Sequence, residues 1–249
     1  MTLALPGPAS ALTPPLHPTN PPPLALLGSL DPATLARLQP RLSTLRLEPG
    51  GRLYATHKQG TAAYALRSGI LRLERSSHDG GRCIVRLAGP GDLVGLEALL
   101  GQPYRADARA CGELEVCRLS RPLVEELCAQ HAGLQRELMR QWQHALDEVE
   151  DWRVELARGS ARERMLRLLL KLSEYTDDLG LIWMPGRQEI GDMLGITLET
   201  ASRLVSACRQ DGLLELVGVR RARLALEPLL QALRAASLGE GGGRRRCWA

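Results

Sequence analysis

Arg187-Gln-Glu-Ile-Gly-Asp-Met-Leu-Gly-Ile-Thr-Leu-Glu-Thr-Ala-Ser-Arg203 is the stretch that decides the fold. It predicts a short helix, a glycine turn and a second helix. Ile190, Met193 and Leu194 share one face of the first helix at helical spacing. Gly195 can adopt the left-handed conformation that ends a helix, and Thr197 is a good N-cap for the next one. In the second helix Ala201, Leu204, Val205 and Cys208 fall at i, i+3, i+4, i+7 and form the stripe to be buried. Glu199, Ser202 and Arg203 then lie on the opposite face. A polar trio near the start of an outward-facing helix suits reading of base edges in a DNA major groove. Arginine can bond guanine O6 and N7, and glutamate can accept from cytosine N4. The same spacing also suits a surface i,i+4 salt bridge between Glu199 and Arg203, and helix pairs of this kind occur in proteins that bind no DNA.

Leu213–Val217 and Arg223–Leu226 follow as two short strands around Gly218. The turn between them carries Arg220 and Arg221, which makes a basic wing placed to reach phosphates, or a solvated hairpin tip. Upstream, Arg162–Tyr175 is an amphipathic helix with Met165, Leu168, Leu169 and Leu172 on its apolar face. Before Gly159-Ser160, Leu134, Leu138, Trp142, Ala145, Val149, Trp152 and Leu156 recur at steps close to a heptad seam. One seam on so long a helix implies a partner helix, most simply that of a second chain. The alternative is an amphipathic helix packed on its own domain.

From Leu45 to Leu119 short apolar runs alternate with glycine punctuation: Arg52–Ala55, Ala62–Leu66, Ile70–Glu74, Arg82–Leu87 and Glu113–Leu119. This pattern predicts an antiparallel sandwich or roll, with His78-Asp79-Gly80-Gly81 as a hairpin turn. Asp31-Pro32 marks a helix start, and helical patterning resumes after Pro122. Residues 1–23 hold eight of the 16 prolines, which predicts a disordered tail.

Net charge is +4, and residues 159–236 carry 11 Lys+Arg against 10 Asp+Glu. The nucleic-acid reading therefore rests on where the arginines sit, not on bulk charge. The six cysteines form no Cys-x-x-Cys pair and no zinc spacing with histidine, so reduced thiols are expected. No Lys or Arg precedes Arg37, so the charged start of a signal peptide is missing, and no apolar run approaches a membrane span. A cytoplasmic location is the expectation. No hydrolase, metal-hydrolase or phosphate-loop pattern is present, which argues against an enzyme.

Roll, long helix and winged helix-turn-helix in this order resemble the Crp/Fnr superfamily of bacterial transcription regulators, over about Leu27 to Ala236. Tyr64-Ala-Leu-Arg-Ser-Gly-Ile-Leu-Arg72 and Gly91-Asp-Leu-Val-Gly95 support the likeness already carried by residues 187–203. The resemblance implies an α+β fold, double-stranded DNA, RNA polymerase and a second copy of the chain as partners, and an inverted-repeat operator. Glu199, Ser202 and Arg203 look like the base readers of the fumarate-nitrate branch, whose half-sites resemble TTGAT. Leu198 stands where the catabolite-activator branch carries a base-reading arginine. Arg187 and Gln188 match backbone-contacting positions, with Thr197, Thr200, Arg220 and Arg221 as further phosphate contacts.

The effector is left open by the sequence. In the family's cyclic-nucleotide binders a Gly-Glu pair holds the ribose and an Arg-Ser/Thr pair the phosphate. Here Gly95 is followed by Leu96, Glu97 is displaced by one residue, and Arg105 is followed by Ala106. An iron–sulfur cluster needs four thiolates, and the first cysteine is Cys83. Haem has His57, His78 and Cys83 as candidate ligands; a redox thiol, another small ligand or none also remain. The expected domains are a tail (1–26), a β-roll sensor (27–131), a dimerisation helix (132–158), a DNA-binding domain (159–236) and a flexible basic tail (237–249). The competing reading is a ligand, haem or redox sensor whose winged helix is a protein-interaction module.

Overall fold

The computed structural model describes residues 27–28, 30–76, 81–177 and 179–239. The tail expected over residues 1–26, the hairpin turn at His78, Asp79 and Gly80, and the basic run 244–246 lie outside them.

Helix α1 (Pro32–Leu38) starts where the sequence predicts. Asp31 caps it by accepting from Thr34 N at 3.0 Å, with proline at its first position. Eight strands follow: β1 (Ser43–Leu47), β2 (Arg52–Tyr54), β3 (Ala62–Ser68), β4 (Leu71–Ser76), β5 (Arg82–Ala88), β6 (Leu93–Val94), β7 (Asp107–Ala110) and β8 (Leu114–Ser120). They form two four-stranded sheets, ordered β1-β8-β3-β6 and β2-β7-β4-β5, with antiparallel pairing throughout. This is the expected roll. Strands β1, β6 and β7 were not foreseen. β1 is an edge strand with no fully buried residue, β6 has two residues, and β7 interleaves arginine with alanine, so none carries a strong apolar run.

Between the sheets lie Leu66, Leu71, Val94, Leu114 and Val116 with Tyr54, Tyr64 and Tyr104. A second core joins the outer face of β3 and β8 to α1 and to α2 (Arg121–Gln130), through Leu38, Leu119, Leu123 and Leu127.

Helix α3 (Ala132–Ala157) has 26 residues and spans about 39 Å at 1.5 Å per residue. Its seam corrects the sequence reading. Leu134 is fully buried in the roll's outer core, and Leu138 packs on it. Trp152 and Leu156 are buried against the C-terminal half. Ala145 and Val149 are half-buried, and only Trp142 of the seven is exposed. The spacing explains this. Six steps from residue 134 to 156 average about 3.67 residues, close to the 3.6 of a straight helix and not the 3.5 of a left-handed supercoil. Both ends of the stripe therefore face their own chain, and its middle, at Trp142, does not. Trp142 also belongs to an exposed apolar row with Met139 and Leu146; Met139, Trp142 and Leu146 are 65%, 45% and 49% exposed.

Helix α4 (Ala161–Ser173) begins with a reciprocal capping box between Ser160 and Glu163 and buries Met165, Leu166, Leu168, Leu169 and Leu172. Around it sit β9 (Ile182–Trp183), α5 (Arg187–Leu194), α6 (Leu198–Gln210), β10 (Leu214–Leu216), β11 (Arg221–Leu224) and α7 (Leu226–Gly239). The wing strands pair antiparallel, and β9 extends them to a three-stranded sheet. Helix α7 was not anticipated, and it runs through Gly239, past residue 237 where the flexible tail was expected to begin. Ile84, Leu87 and Cys111 of the roll belong to the same apolar core as α4, α5 and α6. The two halves are thus packed as one body.

Candidate nucleic-acid interface

Helix α5 ends at Gly195 with φ +61° and ψ +45°, and Gly195 N donates to Gly191 O. A Cβ added at Gly191 would lie 2.8 Å from Ile196 O, so the turn between the helices folds back too closely on α5 there for any side chain. Thr197 Oγ1 then accepts from Thr200 N at 3.2 Å and starts α6. Ala201, Val205 and Cys208 are buried as the stripe requires, and Leu204 is half-buried. The expected helix-turn-helix is present residue for residue.

Its outer face carries Glu199 and Arg203. They are 79% and 72% exposed and only 3.1 Å apart, so the two side chains expected to read bases also form the surface ion pair the spacing allows. An exposed pair of this kind contributes at most about 1 kcal/mol, so it opens readily when a better partner arrives. Ser202 is half-buried beside them, and Leu198 is exposed.

Arg187 opens α5 and forms no ion pair among the described residues. Partial burial and the charge of Arg209, on the last turn of α6, both push its guanidinium below the usual range. Arg209 also lacks an acidic partner among the described residues. Two neighbouring cations without acidic partners among the described residues, at the edge of α6, suit an anion such as a phosphate. Arg209 was missed in the sequence because nothing there pairs it with Arg187. Gln188 is exposed and donates to Asp192 Oδ1 at 2.9 Å. Thr197 and Thr200 are engaged with one another at 3.0 Å.

The wing needs a correction. Neither of its arginines is a free phosphate contact. Arg221 begins β11 and is paired with Asp177. Arg220 has φ +60°, a conformation uncommon for a residue with a side chain, and it points back into the protein. Its guanidinium pairs with both oxygens of Glu189 and lies 5.6 Å over the Trp183 ring. Arg72, on β4 of the roll, reaches the same group. Its Nη1 is 2.6 Å from Glu189 Oε1, and its guanidinium is 5.9 Å from Trp183. Glu189 also accepts from Gly186 N at 2.7 Å and so caps α5. One carboxylate therefore ties together the roll, the first helix of the motif and the wing. Val219, at the wing tip, is 89% exposed.

In the roll, Gly95 has φ +71°. Beside it, Tyr54 and Tyr104 stack at 4.0 Å, and a Cβ at Gly95 would meet their rings at 3.3 and 3.0 Å. Tyr104 Oη donates to Ala62 O at 2.8 Å. Glu97 accepts from Arg105 N at 3.3 Å, while the Arg105 side chain is exposed and forms no ion pair among the described residues. Gly95, Glu97 and Arg105 are thus neighbours, but aromatic rings fill the space beside Gly95. Cys83, Cys111, Cys117, Cys128 and Cys208 are all free thiols, and burial pushes each upward from the ordinary thiol range. His57 is exposed in a turn.

Residues 44–131 match the cyclic nucleotide-binding domain family, and residues 163–234 match the Crp-like helix-turn-helix domain family. The transcriptional activatory protein AadR of Rhodopseudomonas palustris is 30% identical over 207 residues, 79% of this chain and 84% of its own. The transcriptional regulatory protein Btr of Bordetella pertussis is 29% identical over 194 residues, 76% of this chain and 80% of its own. The crystal structure of FixK2 from Bradyrhizobium japonicum is 28% identical, with a TM-score of 0.67 over 78% of this chain and 96% of that one. The motif that opened the sequence, the roll and these relatives agree: the chain belongs to the Crp/Fnr family of transcription regulators.

Proposed function

We propose that this regulator acts as a homodimer on an inverted-repeat operator with TTGAT-like half-sites, read by Glu199, Ser202 and Arg203 of each copy. The exposed, weakly held Glu199–Arg203 pair on the outer face of α6 carries this reading. Arg187 and Arg209 hold the backbone beside it, with Gln188, Thr197 and Thr200 as polar phosphate contacts. Dimerisation uses the exposed row Met139, Trp142 and Leu146 of α3, an apolar stripe that a second copy of the helix would cover. RNA polymerase is the further protein partner, and the site of action is the cytoplasm. No helix among the described residues is long and apolar enough to cross a membrane.

For the roll, the stacked tyrosines beside Gly95 favour an effector other than a cyclic nucleotide, or none. The test is fluorescence anisotropy with a labelled inverted-repeat duplex. Arg203→Ala is expected to cost about 1–3 kcal/mol and to relax specificity at one base pair of each half-site. Unchanged affinity in that variant, with the fold intact, would move the lead to a winged helix that contacts protein instead of DNA.

A further inference from the structure

Away from the reading head, three side chains converge where the roll meets α3. Asp92 sits in the turn between β5 and β6; His144 and Glu148 are one helical turn apart on α3. His144 Nε2 lies 3.8 Å from Asp92 Oδ1 and 3.8 Å from Glu148 Oε1, and the three atoms are all within 4.8 Å of one another. Among the described residues this is the one cluster of three metal-ligating groups so close together.

The other oxygen of each carboxylate is already held. Gly89 N donates to Asp92 Oδ2 at 2.8 Å. Arg86 donates to Glu148 Oε2 from Nε at 2.9 Å and from Nη2 at 2.6 Å. Both carboxylates are therefore oriented from behind, with Asp92 Oδ1 and Glu148 Oε1 turned toward His144. Outer contacts of this kind fix the ligands of a metal site. Tyr175 Oη donates to Glu148 Oε1 at 3.5 Å. Arg86 Nη2 stands 3.7 Å from Asp92 Oδ1. That guanidinium offsets one of the two negative charges and leaves the other uncompensated when His144 is neutral.

We propose that Asp92, His144 and Glu148 form a binding site for a divalent transition-metal cation such as Zn²⁺ or Mn²⁺. One imidazole and two carboxylates suit such ions. Ligands about 2.0–2.2 Å from one ion sit roughly 3–3.5 Å apart, so the set must close by less than about 1.5 Å. The 58%-exposed His144 side chain is free to close its own 3.8 Å distances, and a small rotation of the two carboxylates about their held oxygens would close the rest. Three protein ligands at the rim leave a position open to water. A bound ion would clamp the β5–β6 turn of the roll to the middle of α3. The assignment does not depend on which operator is read.

The test uses the full-length chain, stripped with a chelator and titrated with ZnCl₂ and MnCl₂ by calorimetry. His144→Ala and Asp92→Asn are titrated alongside. His144 is exposed and Asp92→Asn is isosteric; circular dichroism checks both folds. The expected result is one site per chain, weakened more than about tenfold in either variant. No binding of either ion overturns the proposal. So does binding that survives in both variants, which would place the ion on thiols or other histidines.

Discussion

Replacing Glu189 by glutamine tests the tie between the roll and the reading head. Glutamine keeps the length of the side chain, and its amide oxygen can still accept from Gly186 N, so the cap of α5 is retained. What is lost is the charge shared by Arg72 and Arg220. The Arg72 and Glu189 side chains are only 13% and 20% exposed, and their contact is 2.6 Å. Breaking a buried pair by removing one partner costs about 3–5 kcal/mol. The half-exposed Arg220 regains water and Arg72 keeps Glu74 at 2.6 Å from its Nε, so the expected loss falls to about 1–2 kcal/mol at pH 7.

The pH dependence has a definite sign. Burial opposes ionisation of Glu189, but hydrogen bonds from Arg220 and Gly186 N and the charges of Arg72 and Arg220 outweigh it. The carboxyl is held below its ordinary value. A depressed folded-state value means stability that is complete above the ordinary glutamate range and lost as pH falls through the depressed value. The gap between wild type and E189Q should therefore be full at pH 7 and close toward acid. Urea unfolding followed by tryptophan fluorescence is the assay, since Trp183 lies beneath both guanidinium groups. A loss below about 0.5 kcal/mol at pH 7, typical of an unimportant surface change, would refute the reasoning. So would a gap that persists unchanged at acid pH.

Leu146→Glu places a charge in the exposed row of α3 without touching either core, so sedimentation should find a monomer of unchanged helicity where the parent is a dimer; a dimeric variant would reject that interface. Gly195→Ala meets nothing within 4 Å but must hold φ +61°, so it should cost about 1 kcal/mol of stability in urea unfolding. A neutral outcome would mean that the turn between α5 and α6 is looser than its geometry.

The helix-turn-helix was legible because local rules agree there. A stripe at helical spacing, a glycine that must be left-handed and a capping threonine all fall within 17 residues. The roll was legible in outline from alternating apolar runs and glycine turns, but its weakly apolar strands were not. β1 and β7 are defined by the neighbours they pair with, Ser43 opposite Arg118 and Arg72 opposite Arg109, and not by their own pattern.

The α3 seam was found, but its ends, Leu134, Trp152 and Leu156, are buried by their own chain and not left for a second copy. Periodicity marks a buried face and does not say which chain buries it. The fate of Arg220 was not legible at all. Its partner Glu189 lies 31 residues away, Arg72, which shares that carboxylate, lies about 150 away, and no local rule links them. The Asp92–His144–Glu148 cluster shares that character: the i,i+4 pair is visible in the sequence, while Asp92 arrives only through the packing of the roll on α3.

The most direct test of the central claim is selection of double-stranded DNA from a random pool by the purified full-length chain, with Arg203→Ala run in parallel. The account predicts enrichment of an inverted repeat with TTGAT-like half-sites about one helical turn apart. It also predicts that information is lost at one base pair of each half-site in the variant. Enrichment of an unrelated or single half-site, or the same motif with and without Arg203, would contradict it.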